Sequence, residues 1–349
     1  LSWGIGGLFA CFKCKFTPKR TYVRECYEGY VNTAKTSEKS FLSWLDRFGT
    51  KKGVVGIEVQ IDGLAIATHG CLNKNDDSVN LVTKLIEGEH SASINEELTT
   101  FVDKHSLRGR SCHLVLPHHA YQLLLVEAPQ VPDDEMRDAI RWRIKDLISQ
   151  PLDSVVLDYF SLPKEASRAG KTMLYVVVTE RSLIQKYVDL VNESGLVLQS
   201  IDIGEMALRN LSLLSSMEPV QERGVAVVRL REKGGSVSLY RQGNLYLSRQ
   251  FSLDYGAGLL DDIPSDALTL EVQRSLDYYE RQMGLAPPAA LYLCGEGVSE
   301  DKITQDIQRG LTVPAHFLSL ESNLTWAEEV DEGMAQLCVA ALGGALRDR

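Results

Sequence analysis

The chain has 349 residues, 44% apolar and 24% charged, enough for two domains that each bury a core. A formal charge of -10 argues against a nucleic-acid binder, which needs clustered Lys and Arg against phosphate. No apolar run approaches the roughly 20 residues that span a bilayer.

Residues 1–52 hold ten Lys and Arg against four Asp and Glu, so a basic start precedes an acidic body. Residues 1–40 lack periodicity and read as a basic leader, disordered or foreign to the folded unit. Cys11-x-x-Cys14 with Cys26 offers three thiolates at zinc-like spacing without a fourth ligand, so no metal is assigned. The seven cysteines are unevenly spaced, and Cys112 and Cys294 lie in apolar strand patterns, which points to free thiols and a cytoplasmic protein. Residues 41–52 carry a short amphipathic helix with Phe41, Trp44, Leu45 and Phe48 on one face. That face either packs on the body or makes a peripheral contact with an anionic membrane.

Gly53 to Ala67 reads as strand, turn, strand: Val55, Ile57, Val59 and Ile61 alternate with Gly56, Glu58 and Gln60, and Asp62-Gly63 supplies the turn. From Gly224 the pattern returns as a second hairpin, which suggests a duplicated architecture. Between them, Cys112 to Pro117 and Tyr121 to Ala128 read as strands. An acidic first turn at Asp133, Asp134 and Glu135 opens a helix running to about Ser149. Val155 to Phe160 and Met173 to Val178 are strands, Arg181 to Glu193 a helix closed by Gly195, and Leu196 to Ile203 a strand. In the second half Ala267 to Met283 is the strongest helix, Ala290 to Gly297 a buried strand entering a glycine turn, and Met334 to Leu346 a small-residue apolar helix. His113, His118 and His119 flank Pro117 without an acidic or thiol complement and read as surface histidines rather than metal ligands.

Several stretches in this order resemble the actin-like pilus assembly proteins of the PilM type, most nearly their variant in the mannose-sensitive haemagglutinin (MSHA) type IV pilus. They are Leu114 to Pro117, Pro132 to Trp142, Leu157 to Tyr159, Ile201 to Asn210, Glu271 to Tyr279 and Ala341 to Arg347, within coverage from about Gly53 to Arg349. The resemblance implies an α/β, actin-like fold of two ribonuclease H-like halves. The first half would span 53–218, interrupted by a small α+β domain at about 111–202. The second would span 219–349, with the helix at 334–346 packing back on the first. It also implies a cytoplasmic adaptor at the inner face of the inner membrane. Its partner would be the cytoplasmic N-terminal tail of an inner-membrane pilus assembly protein, with the assembly motor ATPase as a possible second. The tail would dock between the inserted domain and the first half, where Tyr121, Trp142 and Tyr159 are either aromatic anchors or core residues.

The same fold also carries enzymes, so the alternative is an ATPase or a sugar-kinase-like phosphotransferase. That chemistry needs an acid in each hairpin to hold hydrated magnesium and small residues in the phosphate turns. Glu58 stands at the first acid and Gln60 at a glycine position, while Arg229 and Arg231 stand at the second acid and its glycine. Gly295 and Gly297 keep the adenosine-side turn around Glu296. Glu271 and Arg274 either reach a ribose or base or pair with each other along a helix. These substitutions lead to the expectation of no cofactor and no hydrolysis, with ATP and magnesium as the alternative.

Overall fold

Two central strands, one in each half of the chain, carry the architecture. The computed structural model describes residues 51–60, 63–70, 79–80, 91–166, 170–213, 222–231, 234–253, 265–300, 303–326 and 329–347. The first part supplies β1 (Lys51–Gln60), β2 (Gly63–His69), β3 (Val79–Asn80), α1 (Ser91–Lys104) and β4 (Arg110–Leu116). An excursion follows: β5 (Tyr121–Glu127), α2 (Met136–Arg143), β6 (Val155–Ser161), β7 (Met173–Glu180) and α3 (Arg181–Glu193). The chain returns through β8 (Val197–Ile203) and α4 (Gly204–Ser212).

The second part supplies β9 (Val225–Arg231), β10 (Gly234–Arg241), β11 (Asn244–Ser252), α5 (Ser265–Met283), β12 (Ala290–Gly295), α6 (Ile303–Gly310) and β13 (Ala315–Phe317). It closes with α7 (Leu320–Asn323), α8 (Glu332–Leu337) and α9 (Val339–Ala345).

The sheets repeat. The first is ordered β3-β2-β1-β4-β8 and the second β11-β10-β9-β12-β13. In each, the central strand pairs antiparallel with the hairpin partner that follows it and parallel with the strand reached by a crossover. The β10–β11 hairpin turns at Gln242 and Gly243, both at positive φ (49° and 71°), which matches the right-handed twist of the strands they join.

β1 is buried on both faces: Val55 and Ile57 point into the core, while Gly56 and Glu58 are also enclosed. α9 lies across β1 and against α4. Gly56 permits the crossing, because a Cβ there would run into the carbonyl oxygen of Ala341 and come within 2.5 Å of the Ala345 nitrogen. Gly343 makes the matching approach to the backbone of Ala207. Arg347, just past α9, pairs with the buried Asp202 at the end of β8.

Four expected boundaries move. The insertion expected over about 111–202 is narrower, because β4 and β8 pair within the first sheet and only β5, β7 and β6 form the separate three-stranded sheet. A strand's apolar pattern does not say which sheet it joins. The helix expected at Met334 to Leu346 is two helices broken at Cys338 (φ -103°, ψ 14°): α9 packs on β1, whereas α8 turns toward β12. Residues 41–50 lie outside the described residues, and Lys51 and Lys52, expected to end a helix, open β1. The helix expected from Asp133 to Ser149 is regular only over Met136–Arg143, with Ile140 and the following Ile144 turned into the three-stranded sheet.

Candidate functional site

The seam between the two five-stranded sheets is where their central strands meet. Glu58 of β1 and Arg229 of β9 face each other across it, each about 5% exposed. One guanidinium nitrogen, Nη2, donates to Oε2 of the carboxylate (2.9 Å) and stands 2.7 Å from Oε1 as an ion pair. Burial works against the guanidinium's charge, but attraction to Glu58 and the hydrogen bond outweigh it, so its pKa stands above its ordinary value.

α8 reaches the same seam. The Gln60 amide donates to the Leu337 carbonyl oxygen (3.0 Å), and the Gly295 N–H donates to Gln336 Oε1 (2.8 Å). Gln336 is 2% exposed, and its own amide nitrogen donates to the Leu318 carbonyl oxygen (2.8 Å) and to Glu332 (2.7 Å). Gly295 has φ of 106°, and a Cβ there would strike the Leu230 carbonyl oxygen, so the position requires glycine. Beside the pair, burial pushes the thiols of Cys294 and Cys338 up to about 12, so neither supplies a thiolate nucleophile.

Glu58, Gln60 and Gly295 are thus brought together, with Arg229, Gln336 and Leu337 between them. Gly297 is exposed, with open space around it at φ of 69°. Glu271 and Arg274 pair along α5 at 2.5 Å, and Arg249 stands 3.9 Å from the same carboxylate. Hydrated magnesium needs open carboxylate oxygens, and both oxygens of Glu58 face a fixed cation. The seam residues therefore do not fit a magnesium–nucleotide complex. Sequence reasoning placed Arg229 but missed Gln336, for which the pattern of α8 carries no signal beyond a polar residue in an apolar run.

A second polar cluster ties the three-stranded sheet to the rest. Glu205, at the start of α4 and 3% exposed, accepts from Tyr121 of β5 (2.5 Å) and from the Ser248 hydroxyl of β11 (3.0 Å). Tyr240 of β10 donates to the Glu205 carbonyl oxygen (2.6 Å), and Tyr175 of β7 accepts from the Ser248 N–H (3.1 Å). Burial, with the charge and hydrogen bond of Glu205, raises the Tyr121 phenol well above its ordinary value. Of the three aromatic candidates, Tyr121 is therefore committed internally and Tyr159 is half-buried on β6. Trp142 stands 69% exposed on α2 with the Lys145 ammonium 5.5 Å from its ring centre.

His113, expected at the surface, is buried and bonded through Nδ1 to Ser200 Oγ (2.7 Å). His118 sits in the turn after Pro117, where burial and then the charges of Arg231, His119 and Arg229 lower it to about 4. Its folded pKa lies below its ordinary 6.5, so from pH 6.5 down to about 4 the unfolded chain takes up a proton that the folded one refuses. Stability should fall as pH drops through that window, and His118→Gln should flatten the decline in a melting series. An unchanged slope would remove His118 from the account. Among the described residues no group of three metal-ligating side chains occurs, and no helix is long and apolar enough to cross a membrane.

Residues 84–263, just over half of the chain, match the family model described as type IV pilus assembly protein PilM. Among solved structures, the PilM-PilN type IV pilus biogenesis complex superposes with a TM-score of 0.65 at 18% identity, covering 84% of this chain and 98% of that one. A Bacteroides thetaiotaomicron protein with an actin-like ATPase fold gives 0.47 at 11% identity, covering 80% and 94%. The cytoplasmic domain of EpsL, an inner-membrane component of the Vibrio cholerae type II secretion system, gives 0.46 at 11% identity, covering 74% and 94%. A search of the curated proteins finds no match. The fold is actin-like.

Proposed function

The chain belongs to the PilM family of type IV pilus assembly proteins, and from that premise we propose that it is a non-catalytic adaptor of a pilus assembly platform at the inner face of the inner membrane. The observation that carries the non-catalytic part is the buried pairing of Glu58 with Arg229. With its acid neutralised, the seam retains no free carboxylate from Glu58 to hold a metal or orient an attacking water. Within the family the reading is the MSHA-type, MshI-like branch, supported by the order of motifs from Leu114 to Arg347.

The partner proposed is the cytoplasmic N-terminal tail of an inner-membrane pilus protein. The solved relative was captured as a complex of PilM with PilN, which supports this class of partner. Trp142 is the aromatic free to contribute: an exposed indole buries a large area at small entropic cost when a peptide covers it. Tyr121 is unavailable without breaking its bond to Glu205, and Tyr159 lies on β6 of the same small sheet.

The test is calorimetric titration of a synthetic partner tail into the full chain. Binding is expected, and Trp142→Ala should weaken it about tenfold or more, while melting stays within a degree because the side chain packs on little. Undiminished affinity would move the docking site away from α2. Steady ATP turnover by the wild-type protein would sink the adaptor reading itself.

A further inference from the structure

The seam makes more contacts than an empty ligand cleft requires. Its two central strands occupy equivalent places in two sheets of the same order, and each contributes one member of a buried ion pair. α8 adds two cross-links from a third direction, Leu337 to Gln60 of β1 and Gln336 to Gly295 of β12. Glu58, Gln60, Arg229 and Gly295 thus each have a partner on another element.

We propose that Arg229 and the Gln336–Leu337 turn act as a built-in substitute for a ligand, latching the two halves closed permanently. In a two-lobed protein that closes on a ligand, the ligand supplies the charge and hydrogen bonds that make the closed form the lower in energy. Here the chain supplies them. The cation is the tethered guanidinium, and the acceptors for Gly295 N–H and the Gln60 amide are the Gln336 side chain and the Leu337 carbonyl. A pair about 95% enclosed is weakly screened by salt, so closure should persist at high ionic strength. The surface carried by the closed form is then always present, and docking needs no nucleotide signal. That last step rests on the adaptor reading; closure itself does not.

Amide hydrogen exchange on the full chain, with and without about 1 mM Mg-ATP, tests this. The wild type should show slow exchange in β1, β9 and β12 that neither Mg-ATP nor high salt alters. Arg229→Ala should speed exchange in those strands about 100-fold or more, because one buried charge loses its partner. The swap of Glu58→Arg with Arg229→Glu should recover part of the protection. Should Arg229→Ala not fold, Arg229→Lys keeps the charge but loses the fork of donors, and a smaller acceleration confined to the same strands is expected. Protection of the wild type by Mg-ATP, or seam exchange indifferent to Arg229→Ala and Arg229→Lys, would overturn the latch. Failure of the partner tail to bind would remove the adaptor reading and leave the latch standing.

Discussion

Gly56→Ala should be among the most destabilising single-methyl additions in the molecule, costing about 3 kcal/mol, the upper end for an overpacked core. The added Cβ meets the Ala341 carbonyl oxygen and the Ala345 nitrogen, both backbone, so no rotamer change relieves the clash. Either α9 lifts from β1 or the strand bends. Both disturb α8, which precedes α9 by a single residue and carries Gln336 and Leu337 into the seam. A fall in Tm of roughly 4 °C is expected for a chain of this size. Gly297→Ala is the control: its φ of 69° disfavours a side chain, but open space surrounds it, so only the local backbone cost of about 1–2 kcal/mol applies. Should Gly56→Ala prove no worse than Gly297→Ala in denaturant unfolding, the close approach of α9 would not carry the load assigned to it.

The same contact explains what could be read from the sequence and what could not. The alternation at Val55 and Ile57 and the echo from Val225 mark the central strands, and both sheets are built around them. Alternation suggested one buried face for β1, yet Gly56 and Glu58 are enclosed too, because α9 arrives at Gly56 from nearly 300 residues away and Arg229 of β9 meets Glu58. A local pattern carries no trace of such a partner. The inserted domain expected at about 111–202 is too wide for the same reason: β4 and β8 look like their neighbours along the chain, and only the pairing of β4 with β1 and of β8 with β4 assigns them to the first sheet.

The seam residues were legible as substitutions. An acid, an amide and two arginines stand in the hairpin strands β1 and β9 where a nucleotide would need acids and glycines. That Glu58 and Arg229 neutralise each other was not legible, since they lie 171 positions apart and either alone reads as a defect of the site. His113 was misplaced because a histidine in an apolar strand satisfies its ring through a distant Ser200, which the pattern of β4 does not show. Trp142 and Tyr121 looked alike as candidates, both aromatics near the inserted sheet. They separate only when Glu205 takes the phenol and leaves the indole in solvent.

Glu205 bears the other large expected effect. Its carboxylate accepts from Tyr121 and Ser248 in two different sheets, and both hydroxyls would be left without that acceptor by Glu205→Ala. Hydrogen bonds to a charged group contribute about 1.5–3 kcal/mol each, so a loss on the order of 3–5 kcal/mol is expected. Tyr121→Phe removes one donor and should cost about half as much; the double variant should fall short of the sum, because the two share one bond. The consequence for docking follows from position. The three-stranded sheet carries Trp142 above one of its faces, and Glu205 joins β5 of that sheet to α4, behind β8, and to β11. Loosening this joint should therefore weaken binding of a partner tail that spans the inserted sheet and the first half, even where the residual fold stays intact. Measured below its melting temperature, Glu205→Gln, which keeps the shape but not the charge, should show a smaller stability loss and a detectable affinity loss. Full affinity in Glu205→Gln together with unchanged stability would mean that the cluster does not orient the inserted sheet.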